Sequence, residues 1–296
     1  MIVNPGSSPS PMQSFIDNFL HSAFRCFRHH QNGKLRLCEL RDLDFQAGHS
    51  PDYSNPWVQS LYLMRYFYAY FTDYYYLYRK IIPWLSNATP KVISIGCGCG
   101  VDGAALCFAS SPIGNFQYNG YDIVNWDLDV RSFLPLYSAQ INLYKADITT
   151  TTFPKSNVLM FPKSLSDIDN DIFSAFVHRI SPVFLENRVV ILSSIMNDGN
   201  EYDVAKMEGI VSQMQAIGYD LKVGSTDSIP FADPGACCNH IDNAKFPDKI
   251  KDFIATLDDQ CSIHDENCQA CTVARNPILT THLSRFKGLG FEREYL

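Results

Sequence analysis

The sequence predicts a doubly wound α/β fold around a mostly parallel, seven-stranded sheet, and three observations predict it. From Val92 onward, short apolar runs alternate with helical segments, the pattern of parallel strands joined by crossover helices. The first run, Val92-Ile-Ser-Ile95, breaks into glycines at alternate positions (Gly96, Gly98, Gly100) before a small-residue helix pattern. A buried strand, tight turn and helix N-terminus of this kind let backbone approach a ligand and point free N–H groups at it. The second run closes on an acid, Asp122, 22 residues past Gly100, where a carboxylate can accept both hydroxyls of a ribose.

The elements follow in order. Ser14–His30 carries apolar residues at helical spacing (Phe15, Ile16, Phe19, Leu20, Phe24, Phe27) and reads as an amphipathic helix. Residues 31–55 read as loop. A second helix starts at Pro56, a favoured first helical residue, with Ser54 or Asn55 as its cap, and runs to about Ile82, ahead of Pro83. Strands are expected at Val92–Ile95, Tyr118–Ile123, Ile141–Lys145, Val158–Phe161, Val189–Ile195 and Tyr219–Val223, with a last one within Ile278–Phe286. Helices are expected at Asp102–Ser110, Asp127–Ser138, Leu165–Glu186 and Glu201–Ile217. The crossover Ile148–Asn157 is too short for a full helix. Residues 231–276 interrupt the alternation and hold one more helix, Pro247–Leu257. The organisation is thus an N-terminal helical lid over 1–89 and a Rossmann-like domain over 90–296, with 231–276 as a Cys/His-rich insertion before the last strand.

Bulk properties narrow the function. A chain of 296 residues that is 46% hydrophobic and 19% charged has globular composition. Its net charge of −7 argues against a nucleic-acid partner, because phosphate contacts need a basic surface. Met1–Pro11 has neither the basic nor the apolar region of a secretory signal, so the ten cysteines are expected to be reduced thiols or metal ligands in a cytoplasmic protein. The longest apolar stretch, Trp57 to Trp84, is cut by Arg65, Asp73, Arg79 and Lys80 and is no membrane span.

Gly98, Gly100 and Gly103 match the G-x-G-x-x-G spacing of a dinucleotide loop, but the strand ends directly at Gly96, so the better register is G-x-G-x-G from Gly96. In this register the loop, with Asp122 and with Asp147 at the end of the third strand, resembles the first motifs of the class I S-adenosylmethionine-dependent methyltransferases. The resemblance covers roughly residues 90–230 and 277–296. It implies that the last strand runs antiparallel, and that S-adenosylmethionine is held by Ser94, Gly96, Cys97, Gly98, Gly100, Asp102, Asp122, Ile123, Asp147, Ile148 and Phe161. Asp147 would pair with the adenine amino group. One departure stands out. The family usually has an acid two residues before the first glycine to hold the methionine amino group, and here that residue is Ser94, with Asp102 as a candidate substitute.

The resemblance places the methyl acceptor at the end of the fourth strand, Met160-Phe-Pro-Lys-Ser-Leu165. Lys163 and Ser164 are the candidate catalytic groups there, Lys163 to stabilise an anionic oxygen and Ser164 to hydrogen-bond the acceptor, with Pro162 beside them. The competing reading is a solvated lysine and a helix cap. The sulfonium is already activated, so holding the acceptor in line does most of the work. His240 and Asp167 are candidate bases. The single proline does not support the nucleic-acid amino-methyltransferase subclass. Eleven aromatics between Trp57 and Tyr78 surround their helix. Most read as packing, whereas Tyr62, Tyr66 and Tyr70, four apart on one face, are candidates to line the acceptor pocket.

The insertion contains Cys237-Cys-Asn-His240, Cys261-Ser-Ile-His264 and Cys268-Gln-Ala-Cys271. Cys238, Cys261, Cys268 and Cys271 make one candidate set for a structural zinc; free thiols are the alternative. The insertion is expected to overhang the acceptor pocket. The expected function is methyl transfer to a small-molecule or polypeptide acceptor, with no membrane partner. The alternatives are a nicotinamide-dependent oxidoreductase, a non-catalytic binding module and an RNA methyltransferase.

Overall fold

The computed structural model describes residues 9–31, 52–85, 88–111, 114–134, 140–194, 201–224, 241, 244–256, 277–279 and 286–293. Two helices, α1 (Pro11–Gln31) and α2 (Pro56–Trp84), precede an alternating series: β1 (Lys91–Ile95), α3 (Val101–Ala109), β2 (Gln117–Asp122), β3 (Ile141–Lys145), β4 (Val158–Phe161), α4 (Asn170–Ile180), β5 (Arg188–Ser194), α5 (Glu201–Ala216), β6 (Asp220–Val223), α6 (Asp248–Ala255) and β7 (Phe286–Glu292). The strands form one seven-stranded sheet in the order β3-β2-β1-β4-β5-β7-β6. Strands β1 to β5 pair in parallel, and β7 lies antiparallel between β5 and β6. The chain winds outward from β1 through β2 to β3, then returns to β4 on the other side of β1. This reversal opens a crevice beyond the carboxyl ends of β1, β2 and β4.

The two-residue period of each strand distributes its side chains between two apolar layers. Val92, Val158, Met160, Val190 and Leu192 face α1, α2 and α3. Ile93, Ile95, Leu159, Phe161, Val189 and Ile191 face α4 and α5. Ser94 shares the face of Val92, which aims it at α3. The N-terminal helices join the first layer directly: Phe15 of α1 packs on Phe71 of α2 and Phe108 of α3, with ring centroids 5.6 and 5.4 Å away.

Several expected elements differ. The last strand is Phe286–Glu292, not a segment within Ile278–Phe286. Its sequence, Phe-Lys-Gly-Leu-Gly-Phe-Glu, hides the strand behind two glycines. One of them is required by packing, because a Cβ on Gly290 would lie 2.9 Å from the Trp84 ring at the end of α2. Gly290→Ala is therefore expected to lower stability by about 1–3 kcal/mol through overpacking, as measured by urea unfolding. Helix α2 passes through Pro83 to Trp84, since a proline in the last turn removes one N–H without stopping the helix. Its cap is Asn55, whose side chain accepts from the Trp57 N–H at 3.0 Å. Asp127–Ser138 holds only a short 3₁₀ turn at Val130–Phe133 among its described residues. The long helix expected over Leu165–Glu186 is α4 flanked by 3₁₀ turns, because Asp169 caps a fresh start at Asn170, its side chain accepting from the Asp171 N–H, and Pro182 ends the run.

The described part of the insertion packs on the N-terminal helices. Phe253 of α6 meets Phe24 and Phe27 of α1 edge-on, at 4.8 and 5.8 Å. The Tyr68 hydroxyl donates to the Ala244 carbonyl at 2.7 Å. None of these residues lines the crevice described below. Among the described residues, no helix is long and apolar enough to cross a membrane.

Candidate functional site

A cavity of about 430 Å³ occupies the crevice at the switch point. Four segments wall it: Ile95–Cys99 after β1, Tyr121–Val124 after β2, Ala146–Ile148 after β3 and Pro162–Ser164 after β4. Helix α2 closes it with Tyr62, Phe67, Tyr70 and Tyr74.

The glycine loop is held by backbone bonds that only its conformation allows. Gly96, Gly98 and Gly100 have φ of +69°, +59° and +88°, a region that residues with a Cβ avoid. The Gly96 N–H donates to the Tyr121 carbonyl at 2.7 Å, tying the loop to β2. A Cβ on Gly96 would overlap the Ser164 side chain, and one on Gly98 would sit 3.3 Å from the Trp126 ring. Gly100 starts α3 and lies behind the lining.

Asp122 holds this arrangement together. Its Oδ2 accepts the Gly98 N–H at 2.7 Å and its Oδ1 accepts the Val124 N–H at 2.8 Å. Burial pushes the carboxyl up, and these backbone donors pull it back toward the ionised form. Each oxygen keeps a second lone pair for a ligand hydroxyl. Asp147 lies exposed at the mouth, where the Thr149 N–H and hydroxyl both reach its Oδ1 at 2.8 Å and hold its pKa below the usual range. Arg179 of α4 fixes this loop by donating to the Ile148 and Thr151 carbonyls. Ile123 lines the cavity with 70% of its surface exposed, an apolar face suited to a flat ring.

Asp102 sits in the first turn of α3 and is fully buried. Its Oδ1 accepts from the Tyr118 hydroxyl at 2.8 Å. Burial raises its pKa to about 6, with Ser94 and Tyr118 working in the opposite direction. Cys97 and Cys99, also buried, have pKa values raised by desolvation, so both stay protonated thiols at neutral pH and are poor nucleophiles or metal ligands.

At the end of β4, the Lys163 N–H donates back to the Phe161 carbonyl at 2.9 Å, and Lys163 adopts φ +59°. The turn lifts its ammonium over the Tyr70 ring, 4.4 Å from the centroid. Ser164 lines the cavity, but its hydroxyl donates to the Ile95 carbonyl and so fastens the β4 loop to β1. Helix α5 braces the next turn. Lys206 Nζ donates to the Leu165 and Ile168 carbonyls at 2.8 and 2.6 Å, and the Ser166 hydroxyl donates to Asp203 at 2.7 Å. This presents Asp167 to the cavity, its carboxyl raised by burial and by Asp203.

Of the expected site residues, Gly96, Cys97, Gly98, Asp102, Asp122, Ile123, Asp147, Ile148, Pro162, Lys163, Ser164, Tyr62 and Tyr70 line this one cavity. Phe161 instead points into the layer beneath α4, packing on Phe173 and Phe176, because it has the parity of Leu159 rather than of Met160. Tyr66 stacks behind Tyr70 with ring centroids 5.4 Å apart and is not in the lining. Ser94 is buried behind the glycine loop. His240, Cys238, Cys261, Cys268 and Cys271 lie outside the described residues. Among the described residues, no group of three or more His, Cys, Asp or Glu side chains could hold a metal ion.

Tyr53 and Trp126 are among the lining residues that escaped sequence reasoning. Their rings stack at 5.6 Å, and Tyr62 meets both edge-on. Gln59 of α2 positions them. Its amide donates to the Tyr53 and Asn125 carbonyls at 2.7 and 2.8 Å, and its carbonyl accepts from the Asp127 N–H at 2.9 Å. A lone glutamine in the first turns of an aromatic helix is the signal the sequence carries. Burial holds Tyr53, Tyr62 and Tyr70 well above the ordinary phenol range, so the wall presents neutral hydroxyls and ring faces.

A parallel five-strand core, an antiparallel seventh strand inserted between β5 and β6, and a glycine-loop cavity at the switch point decide the fold. The chain has the class I S-adenosylmethionine-dependent methyltransferase fold. No protein-family model matches the chain, and no curated protein matches it in sequence. Solved structures that do match include the pyocyanin biosynthetic protein PhzM, at 13% identity and a TM-score of 0.38, over 52% of this chain and 51% of that one. A TehB-like methyltransferase from Corynebacterium glutamicum matches at 12% identity and a TM-score of 0.38, over 73% of this chain and 87% of its own. The magnesium protoporphyrin IX methyltransferase of Synechocystis PCC 6803, solved with bound S-adenosylmethionine, matches at 12% identity and a TM-score of 0.39, over 75% and 80%. The chain thus spans about half the length of the first and at least four-fifths of the other two. The fold assignment rests on the strand order and not on these scores.

Proposed function

We propose that this chain is an S-adenosylmethionine-dependent methyltransferase acting on a small-molecule or polypeptide acceptor. One observation carries the reading: the charge of the cavity. Among the described residues its lining contains Asp102, Asp122, Asp147, Asp167 and Asp169 against one cation, Lys163. A nicotinamide dinucleotide would bring a pyrophosphate to the N-terminus of α3, where the buried Asp102 repels it. A nucleoside carrying a sulfonium and an ammonium suits the same walls, because both positive groups meet carboxylates or aromatic faces.

When bound, the cofactor supplies an activated methyl group for in-line displacement by the acceptor. The residues of the chain do the rest. Asp122 accepts the ribose hydroxyls while keeping the loop closed through Gly98. Asp147 and Ile123 receive the adenine at the mouth. Tyr53, Tyr62, Tyr70 and Trp126 enclose the reacting end and exclude water. Lys163, raised over Tyr70, and Asp167 are the polar groups offered to the acceptor, Asp167 as proton acceptor where the acceptor must lose one.

Calorimetric titration with S-adenosylhomocysteine tests the reading. Micromolar binding is expected, with Asp122→Ala weakening it at least about tenfold, the equivalent of one lost charge-assisted pair. Binding of NAD in its place would overturn the proposal.

A further inference from the structure

We propose that the seam between α1, α6 and the 3₁₀ turn at Val130–Phe133 is a second ligand site, built for a small phosphate monoester. A cavity of about 590 Å³ opens there, and none of its described lining residues belongs to the crevice at the switch point. His21 and Arg25 of α1 and Lys249 of α6 line it, and among the described residues the lining holds no carboxylate. In a chain of net charge −7, the fold thus gathers three basic side chains around one space and leaves their repulsion uncompensated. An anion bound between them removes that repulsion.

Each basic group is placed to meet a ligand. Lys249 stands in the first turn of α6, at the positive end of the helix dipole, where a cation is disfavoured. No ion pair engages its ammonium among the described residues. Arg25 follows His21 by four residues and shares its face of α1. The Arg25 Nη2 donates to the Ser22 hydroxyl at 2.9 Å. Ser22 lines the cavity and is only 7% exposed, so a buried hydroxyl fixes the guanidinium at the wall and leaves its remaining donors for a ligand. The His21 Nδ1 lies 2.7 Å from the Asp17 carbonyl, which can only accept, so Nδ1 carries a proton and Nε2 is the atom left for a ligand.

This donor set selects among anions. A carboxylate offers two oxygens, which the Arg25 fork alone can satisfy. A phosphate monoester offers three oxygens and close to two charges, enough to meet Arg25, Lys249 and His21 together. Its second pKa, near 6, lets it share a proton with the imidazole Nε2. Phe24 and Phe133 line the same cavity, so the organic part of the ligand carries a ring or another flat apolar body. Beyond the lining the two helices mix both signs, with Asp17, Asp248 and Asp252 among Arg28 and Lys251. No continuous basic stripe leads away from the cavity along these helices for a nucleic-acid strand to follow, which favours a small molecule.

Calorimetric titration with phenyl phosphate, benzoate and a 5′-phosphorylated oligonucleotide tests the assignment. Phenyl phosphate is expected to bind with a submillimolar Kd, and benzoate at least about tenfold more weakly. Arg25→Gln and Lys249→Gln should each weaken phenyl phosphate at least about fivefold, whereas Lys163→Ala, which removes the lysine of the other cavity, should change it less than about twofold. Arg25 and Lys249 are both exposed, so neither substitution touches the core. Binding lost in Lys163→Ala and kept in Lys249→Gln would put the ligand in the switch-point crevice and overturn the assignment. Benzoate binding as tightly as phenyl phosphate overturns the phosphate class, and this comparison on the wild type decides even if a variant fails to fold. An oligonucleotide that binds at least about tenfold more tightly than phenyl phosphate overturns the small-molecule class. None of these outcomes depends on S-adenosylhomocysteine, so the methyltransferase reading stands or falls separately.

Discussion

Replacing Gly96 with alanine is expected to abolish measurable S-adenosylhomocysteine binding. Two independent penalties meet at this position. The backbone lies at φ +69°, which costs an alanine about 1–2 kcal/mol. The added Cβ also overlaps the Ser164 side chain, whose hydroxyl is tied to the Ile95 carbonyl and cannot swing aside without losing that bond. Overpacking of this kind costs a further 1–3 kcal/mol or so. The loop relieves both by moving, and in moving it releases the Gly96 bond to Tyr121 and the Gly98 bond to Asp122. The combined cost corresponds to a loss of affinity on the order of a hundredfold or more. Adding Ser164→Gly should recover the steric part and leave the conformational part, so the double variant should bind more tightly than Gly96→Ala alone. Wild-type affinity in Gly96→Ala would show that the loop does not approach the ligand.

The second large effect is a gain in stability at the expense of the site. The Asp102 carboxyl titrates at about 6 in the fold, against about 3.9 in an unfolded chain. The folded state therefore binds this proton more tightly than the unfolded state does. The ionised carboxyl penalises the fold: the penalty is absent below the unfolded value, grows as pH rises from about 4 to about 6, and is constant above that. Its size is on the order of 2–3 kcal/mol. Asp102→Asn keeps an acceptor for Tyr118 and cannot ionise. The ligand-free variant should melt several degrees above the wild type at pH 8, and the gap should close toward pH 4.5. A gap that does not depend on pH would mean that the buried charge is not what the fold tolerates here.

Much of this was legible in the sequence because the signals were local. The glycines stand at alternate positions directly after an apolar run. Asp122 and Asp147 close the two following runs. Sheet topology then brings Gly96, Gly98, Asp122 and Asp147 to one crevice, as strand ends at a switch point must be. Other positions were misread because local pattern and packing disagreed. Phe161 ends its strand beside the site, but its parity sends it into the α4 layer. Strand β7 was displaced toward the apolar residues before it, because Gly288 and Gly290 do not look like strand; the Trp84 ring makes Gly290 necessary.

By itself the sequence determined the element order, the glycine loop and the acids at the strand ends, since each depends on neighbours within a few residues. Only the tertiary structure decided which aromatics line the cavity, because Gln59 draws Tyr53 and Trp126 together from segments about seventy residues apart. It alone decided that Ser164 serves the backbone, through a bond to a carbonyl on another strand. It also decided that Asp102 is fully buried between Ser94 and Tyr118. Burial and partner count are properties of packing between distant segments, and no spacing along the chain encodes them.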